Sequence, residues 1–195
     1  MYSPMKRPTQ DEVKDNIRAG LVRVVAKLGI GGTSIAAVAK EAGVSAGTIY
    51  LHFADKSDLL QKVYLQIKTE FHGILVAASS EADSKAMIHR MWRDMFAFTT
   101  AHPHDFLFIE YAGAAQVLSA EQSAHVAGFQ DEIAAMLQRA IDDGTVAPLP
   151  VATVITLLVA PAMHLARQAA LNNRPIDTDQ LDLTFERVWI SIAGS

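Results

Sequence analysis

Apolar residues recur along this chain at three- and four-residue spacings and nowhere in a sustained alternation, so every predicted element is a helix. The first is announced by Thr9 behind Pro8, with Glu12 three residues on in capping-box spacing; it carries the stripe Ile17, Leu21, Val24, Val25 and Leu28 and stops at Gly29. A short second helix starts near Ser34, capped by Thr33 or Ser34, with Ile35, Val38, Ala39 and Ala42 on one face; Gly43 makes the turn after it. A third runs from about Ser45 to His52. A longer fourth opens near Lys56 after Asp55 and turns Leu60, Val63, Ile67, Phe71 and Ile74 inward.

Beyond that, breaks at 79–83, 102–103, 113–119, 144–150 and 172–175 separate five further helices. The fifth has two apolar stripes, Ile88, Met91, Met95, Phe98 and Trp92, Phe96, Thr99, so two of its faces are covered. The sixth is short, around 106–112. The seventh begins at Ser119 with Gln122 in capping-box spacing and carries Val126, Phe129, Ile133, Met136, Leu137 and Ala140. The eighth runs from Val151 to about Asn172, with Pro161 removing the bond to Leu157 and kinking it. The ninth, from Asp177, places Leu181, Phe185, Val188 and Ile192 on one side. The fold class is therefore all-α, with about nine helices.

Composition narrows the picture. With 195 residues, 50% hydrophobic and 19% charged, the chain is long and apolar enough for one or two packed domains. It contains no cysteine, which removes disulfides, thiolate nucleophiles and cysteine-based metal centres. The first ten residues are polar and lack an apolar signal core, making the cytoplasm the expected location. The stretch 147–166 carries no charge, but Pro148 and Pro150 precede or open the helix. What remains, 151–166, reaches roughly 24 Å of an approximately 30 Å hydrocarbon core, so a buried interface helix is expected rather than a membrane span.

Charge divides the chain. Residues 1–68 hold 10 Lys and Arg against 6 Asp and Glu, a net of +4, whereas 69–195 hold 7 against 15, a net of -8. Only the first third is suited to meet a polyanion. Within it, 35–53 (IAAVAKEAGVSAGTIYLHF) meets each demand of a helix-turn-helix at the required offset. Ala39 is small where two helices approach, Gly43 suits a positive φ, and Val38, Val44 and Ile49 form the apolar wedge. The second helix of the motif then turns Ser45, Ala46, Gly47 and Thr48 outward, small residues and hydroxyls that let backbone approach a groove floor and bond base edges or phosphates.

These residues resemble the DNA-binding domain of TetR-family regulators. The resemblance takes in Gly32-Thr33, the Gly43-Val44-Ser45 turn, Gly47-Thr48-Ile49-Tyr50, Phe53 and Lys56-Ser57-Asp58-Leu59-Leu60, and covers roughly 11–64. It implies a three-helix DNA-binding domain at 1–54 and a helical ligand-binding and dimerisation domain at 55–195, connected by the helix at 55–78. It further implies that Thr33 meets phosphate, that Ser45, Ala46, Gly47 and Thr48 face the groove, that Tyr50 and His52 lie on backbone or adjacent bases, and that Lys56 binds phosphate at a helix start. Ala46 stands where many members carry a longer polar residue, which shifts specificity toward DNA shape, Thr48 and Tyr50. Phe53 is read as core, Tyr50 as facing DNA because Ile49 already fills the inward slot, and Lys6 and Arg7 as a solvated tail rather than a minor-groove arm.

Paired half-sites about 34 Å apart require a symmetric dimer. Family members pair their last two long helices with those of a mate, and here Leu158, Ala162, Ala166, Phe185, Val188, Trp189 and Ile192 are the expected interface. For the effector, the expected lining is Trp92, Phe96, Phe108, Tyr111, Phe129 and His164, walls suited to an apolar or aromatic molecule. His102, His104 and Asp105 surround Pro103 in a predicted turn without i, i+4 ligand spacing, so no metal is expected. No nucleophile elbow, phosphate-binding glycine loop or HExxH appears, so neither enzymatic activity nor a cofactor is expected. The reading is a ligand-responsive repressor on a palindromic double-stranded operator; a ligand-independent architectural DNA-binding protein and an activator are the alternatives.

Overall fold

The computed structural model describes residues 9–172, 174 and 177–194; Lys6, Arg7 and the end of the predicted break at 172–175 lie outside them. Among the described residues are nine α-helices: α1 (Gln10–Gly32), α2 (Ile35–Ala42), α3 (Ala46–Tyr50), α4 (Lys56–Val76), α5 (Ser84–Ala101), α6 (Pro103–Ala114), α7 (Ala120–Asp142), α8 (Val151–Asn172) and α9 (Thr178–Ile192). A single 3₁₀ turn, Ala77–Ser80, follows α4. The chain forms two compact units, one of the described residues up to Tyr64 with Leu107–Val117, the other of Leu65–Phe106 with the described residues from Leu118 onward.

In the first unit, local hydrogen bonds set the helix ends. Thr9 N–H donates to Glu12 Oε2 at 2.6 Å and Glu12 N–H to Thr9 Oγ1 at 3.2 Å, closing the capping box. The helical path of α1 breaks at Gly29, where φ is 67°. Leu28, read as the end of the apolar stripe, is 57% exposed because the chain leaves the helix there; the stripe ends at Val25. The unit's core includes Ile17, Leu21, Val25, Val38, Ile49, Leu59 and Phe108, none of which has exposed surface.

Helices α1 and α2 pack face to face. Gly20 lies against Ala42 there: a methyl group at Gly20 would lie 2.8 Å from Ala42 Cβ and 2.9 Å from the Ala42 nitrogen. Across the same crossing, Glu41 accepts from Arg23 Nε at 2.8 Å and from Lys27 Nζ at 3.1 Å. These donors, Arg23 before Lys27, hold the Glu41 carboxyl below the ordinary carboxylate range. At the start of α4, Asp58 caps the Ala54 N–H at 2.9 Å and pairs with Lys62 at 2.9 Å; the Lys62 bond first, then the backbone bond, lowers its pKa likewise.

In the second unit, α5 packs against α7 and α8, and α8 against α7 and α9. Both stripes of α5 are used: Ile88, Met95 and Phe98 are buried, as are Trp92, Phe96 and Thr99. Helix α6 begins at Pro103, earlier than its apolar residues suggest, since proline at a first helical position forfeits no hydrogen bond. The Ser119–Gln122 capping box opens α7, and Pro150, just before α8, accepts from Thr153 and Val154 N–H. Pro161 lies inside α8. An isolated antiparallel bridge joins Val146 to Ala193, with Ala147 N–H donating to Ile192 O at 2.8 Å and Gly194 N–H to Thr145 O at 2.9 Å, so the end of α9 is tied to the α7–α8 connection.

Candidate nucleic-acid interface and effector cavity

The helix-turn-helix is α2, the turn at 43–45, and α3. Ser34 caps α2 by accepting from Ala37 N–H at 3.2 Å. Gly43 ends it at φ 67° and ψ 30°, after which Val44 N–H donates to Ala39 O at 3.0 Å. Ser45 caps α3 through the Thr48 N–H at 3.0 Å, and its Oγ lies 2.8 Å from Thr48 Oγ1. These local bonds aim α3: Ile49 is fully buried, which leaves Ser45, Ala46 and Gly47 exposed, Thr48 half-exposed and Tyr50 56% exposed. A row of small residues and hydroxyls thus stands clear of the unit's core, ending in a phenol.

The remaining predicted DNA residues occupy less open positions. Thr33 is buried, its hydroxyl donating to Gly29 O at 2.8 Å, so its side chain closes α1 instead of standing on the surface. His52 is half-buried beside Phe53, which is itself core, at 6.4 Å between rings. Lys56 is half-buried with Nζ on Ile30 O at 3.1 Å, which leaves two of its three ammonium hydrogens for an anion. Leu51 was not singled out by the sequence, yet it is 82% exposed next to Tyr50. Its signal was available: Ile49 fills the inward slot, so the apolar residue two positions on has no core to enter.

A cavity of about 80 Å³ lies within the second unit. Leu75 of α4, Ile88, Met91, Trp92 and Met95 of α5, Ile133 and Leu137 of α7, and Ile155, Leu158 and Val159 of α8 line it. Of the six predicted lining residues, Trp92 is among these. Phe96 and Phe108 are buried outside the lining, and Tyr111 is half-buried outside it. Phe129 stacks on His72, at 4.3 Å between ring centres, while His72 Nε2 lies 2.8 Å from Glu132 Oε2. His164 is exposed. Periodicity marked these aromatics as inward-facing without revealing what each faces.

The predicted dimer residues are largely consumed within the chain. Leu158, Ala162, Ala166, Phe185, Val188 and Ile192 are all at most 9% exposed, and Phe185 sits 5.5 Å from Trp92 and 6.1 Å from Trp189. Ala162 and Ala166 of α8 are buried within the chain, at 0% and 1% exposed. What this helix pair leaves uncovered is a different set: Val159 and Leu171 on α8, Leu183 and Ile190 on α9, between 42% and 68% exposed. Helix α8 is also long and apolar enough to cross a bilayer by length and composition, and only 22% of its most apolar stretch is buried.

Comparison with known proteins finds two family matches. Residues 17–63 match the bacterial regulatory proteins of the tetR family, and residues 85–193 match the tetracyclin repressor-like C-terminal domain. An uncharacterized HTH-type transcriptional regulator of Haemophilus influenzae is 30% identical over 98 residues, 50% of this chain and 52% of that protein. The HTH-type transcriptional regulator AcrR of Shigella flexneri is 38% identical over 63 residues, 31% of this chain and 29% of AcrR. The matched region thus spans about half of the first relative and under a third of the second. A crystal structure of a TetR family transcription regulator from Marinobacter aquaeolei superposes with a TM-score of 0.84 over 95% of this chain and 97% of that one; at 22% identity the likeness is one of fold.

Proposed function

Because the chain belongs to the TetR family of bacterial regulatory proteins, we propose that it is a cytoplasmic transcriptional repressor that binds a palindromic operator as a homodimer and leaves it when a small apolar or aromatic effector occupies the cavity of the second unit. The observation that carries the DNA-binding reading is α3: its one large inward residue, Ile49, has no exposed surface, while Ser45 to Thr48, Tyr50 and Leu51 project outward. In this reading residues 1–54 form the DNA-binding domain. Ser45 and Thr48 hydroxyls bond base edges or phosphates, Ala46 and Gly47 admit the backbone to the groove, Tyr50 and Leu51 pack against sugar, backbone or thymine methyl groups, and Lys56 meets phosphate.

Residues 55–195 then provide dimerisation and sensing. The exposed Val159, Leu171, Leu183 and Ile190 support α8 and α9 as the face that meets a second copy, a reading that also accounts for an apolar α8 without a membrane. Sensing is supported by the cavity and by α4, one helix of 21 residues whose start carries Lys56 and whose later part contributes Leu75 to the lining. An effector that favours one arrangement of α4 changes the affinity for DNA by linkage.

Selection from random duplex DNA, followed by competition at fixed salt, tests the reading. The expected product is an inverted repeat bound at least a thousandfold more tightly than bulk DNA, with half-sites about one helical turn apart. Affinity that depends only on phosphate neutralisation would overturn it.

A further inference from the structure

The outer face of α3 lacks the side chains that read base edges most selectively. Residues 43–53 contain no Arg, Lys, Asn, Gln, Asp or Glu, so the turn and helix offer no two-pronged partner for a guanine or adenine edge. The hydroxyls are partly committed to each other: Ser45 Oγ accepts the Thr48 N–H at 3.0 Å and lies 2.8 Å from Thr48 Oγ1, which leaves the pair one O–H hydrogen for an outside acceptor. His52 is half-buried, edge-on to Phe53. Leu51, by contrast, is 82% exposed. It ends α3 with φ -71° and ψ -22°, its N–H donating to Gly47 O at 3.1 Å, so it continues the helical path and stands one turn beyond Gly47 on the same side. A Cβ at Gly47 would have only Ser45 Oγ, at 3.6 Å, in contact range, so bare backbone lies one turn before this isobutyl group.

We propose that Leu51 is a specificity-determining residue that reads the C5 methyl group of a pyrimidine in the major groove, thymine in unmodified DNA and equally 5-methylcytosine. This inference rests on reading α3 as the helix that enters the groove. Among the base edges there, the C5 methyl is the apolar group on offer, and a leucine packed on it removes both from water without needing a donor or an acceptor. Phosphates and sugars repeat at every step of the duplex, so a leucine set against them carries no sequence information. Leu51 bonds neither thymine O4 nor the cytosine amino group, so it responds to the methyl alone. Methylation of a cytosine therefore creates a contact: a half-site with cytosine at this position binds poorly, and the same half-site methylated at C5 binds well. Burying one methyl is worth about fourfold in affinity, and about fifteenfold when both half-sites change together.

The test starts from the duplex selected out of random DNA and uses the full chain at fixed salt, with binding followed by fluorescence anisotropy. Each thymine is replaced by deoxyuridine in both half-sites at once, which removes the C5 methyl and keeps every hydrogen-bonding edge. At one position per half-site the loss is expected to be about fifteenfold for the wild-type protein and about threefold or less for Leu51→Ala. With cytosine opposite guanine at that position, 5-methylcytosine is expected to bind the wild-type protein about fifteenfold more tightly than cytosine, and Leu51→Ala to bind the two alike. Because Leu51 supports no core, the thermal midpoint of Leu51→Ala should match that of the wild type. A selected duplex with no methyl-sensitive position, a deoxyuridine loss undiminished in Leu51→Ala, or 5-methylcytosine that binds no better than cytosine overturns the inference and leaves specific DNA binding by α3 standing. A selection that returns no preferred sequence removes the operator reading and the inference with it.

Discussion

At Gly20 two helices of the first unit come so close that a methyl group would sit 2.8 Å from Ala42 Cβ, whereas in the second unit α5, α7 and α8 surround a cavity of about 80 Å³. The first arrangement suits a rigid presenter of side chains. Gly43, Ser45 and Ile49 set the direction of α3 through a left-handed turn, a side-chain cap and a fully buried side chain. The second arrangement forgoes some packing, since side chains lining a void lack partners on one side. It also keeps an unpaired indole N–H among apolar neighbours. A surface that must hold exposed side chains in place favours dense packing beneath it, whereas a region with an internal space leaves its lining side chains room to move.

Single substitutions in each region test this contrast. Ile49→Ala should cost about 3 kcal/mol of unfolding free energy in urea, because a fully enclosed side chain leaves a void the crossing cannot close. Gly20→Ala should cost about 2 kcal/mol and weaken operator binding in parallel, since the new methyl meets Ala42 backbone as well as its side chain. A variant as stable as wild type would show that the crossing yields. Tyr50→Ala should reduce operator affinity about tenfold, roughly 1.4 kcal/mol, without moving the thermal midpoint, as its exposed ring supports no core. Ile155→Ala, in the half-buried cavity wall, should cost about 1 kcal/mol or less; a loss equal to that of Ile49→Ala would erase the distinction between the two regions.

The smallest effect concerns acid. Glu41 and Asp58 have carboxyl pKa values lowered by Arg23 and Lys27 and by Lys62 and the Ala54 N–H respectively. A lowered folded value means their stabilisation is fully present above the ordinary carboxylate pKa and is lost as pH falls through the depressed one. Glu41→Gln should therefore lower the denaturation midpoint slightly at neutral pH and not at all in strong acid. Midpoints measured across that range should converge as the pH falls; curves that stay parallel would remove Glu41 from the linkage.

Helix boundaries were the most legible feature. Thr9 with Glu12, Ser119 with Gln122, and Gly43 each act through bonds spanning three to five residues, so local spacing suffices to place them. The outward residues of α3 were legible for the same reason, given Ile49 as the inward one. Thr33 was not, because its burial depends on how the chain folds back after Gly29 and on what covers it. Leu28 shows the same limit: it continues a periodic stripe whose helix ends before the stripe does.

The sequence by itself determined the all-α architecture, nearly all helix limits, the helix-turn-helix and the charge division between the first third and the rest, since periodicity, caps and composition are local or additive properties. Only the folded chain decided that Gly20 meets Ala42, that Val146 bridges Ala193, that Ala162 and Ala166 are buried, and that Trp92 but not Phe129 lines the cavity. The physical reason is that a helical period states which side of a helix avoids water. It does not state whether that side meets a neighbouring helix, an aromatic ring or a void, because that choice depends on residues distant in the chain.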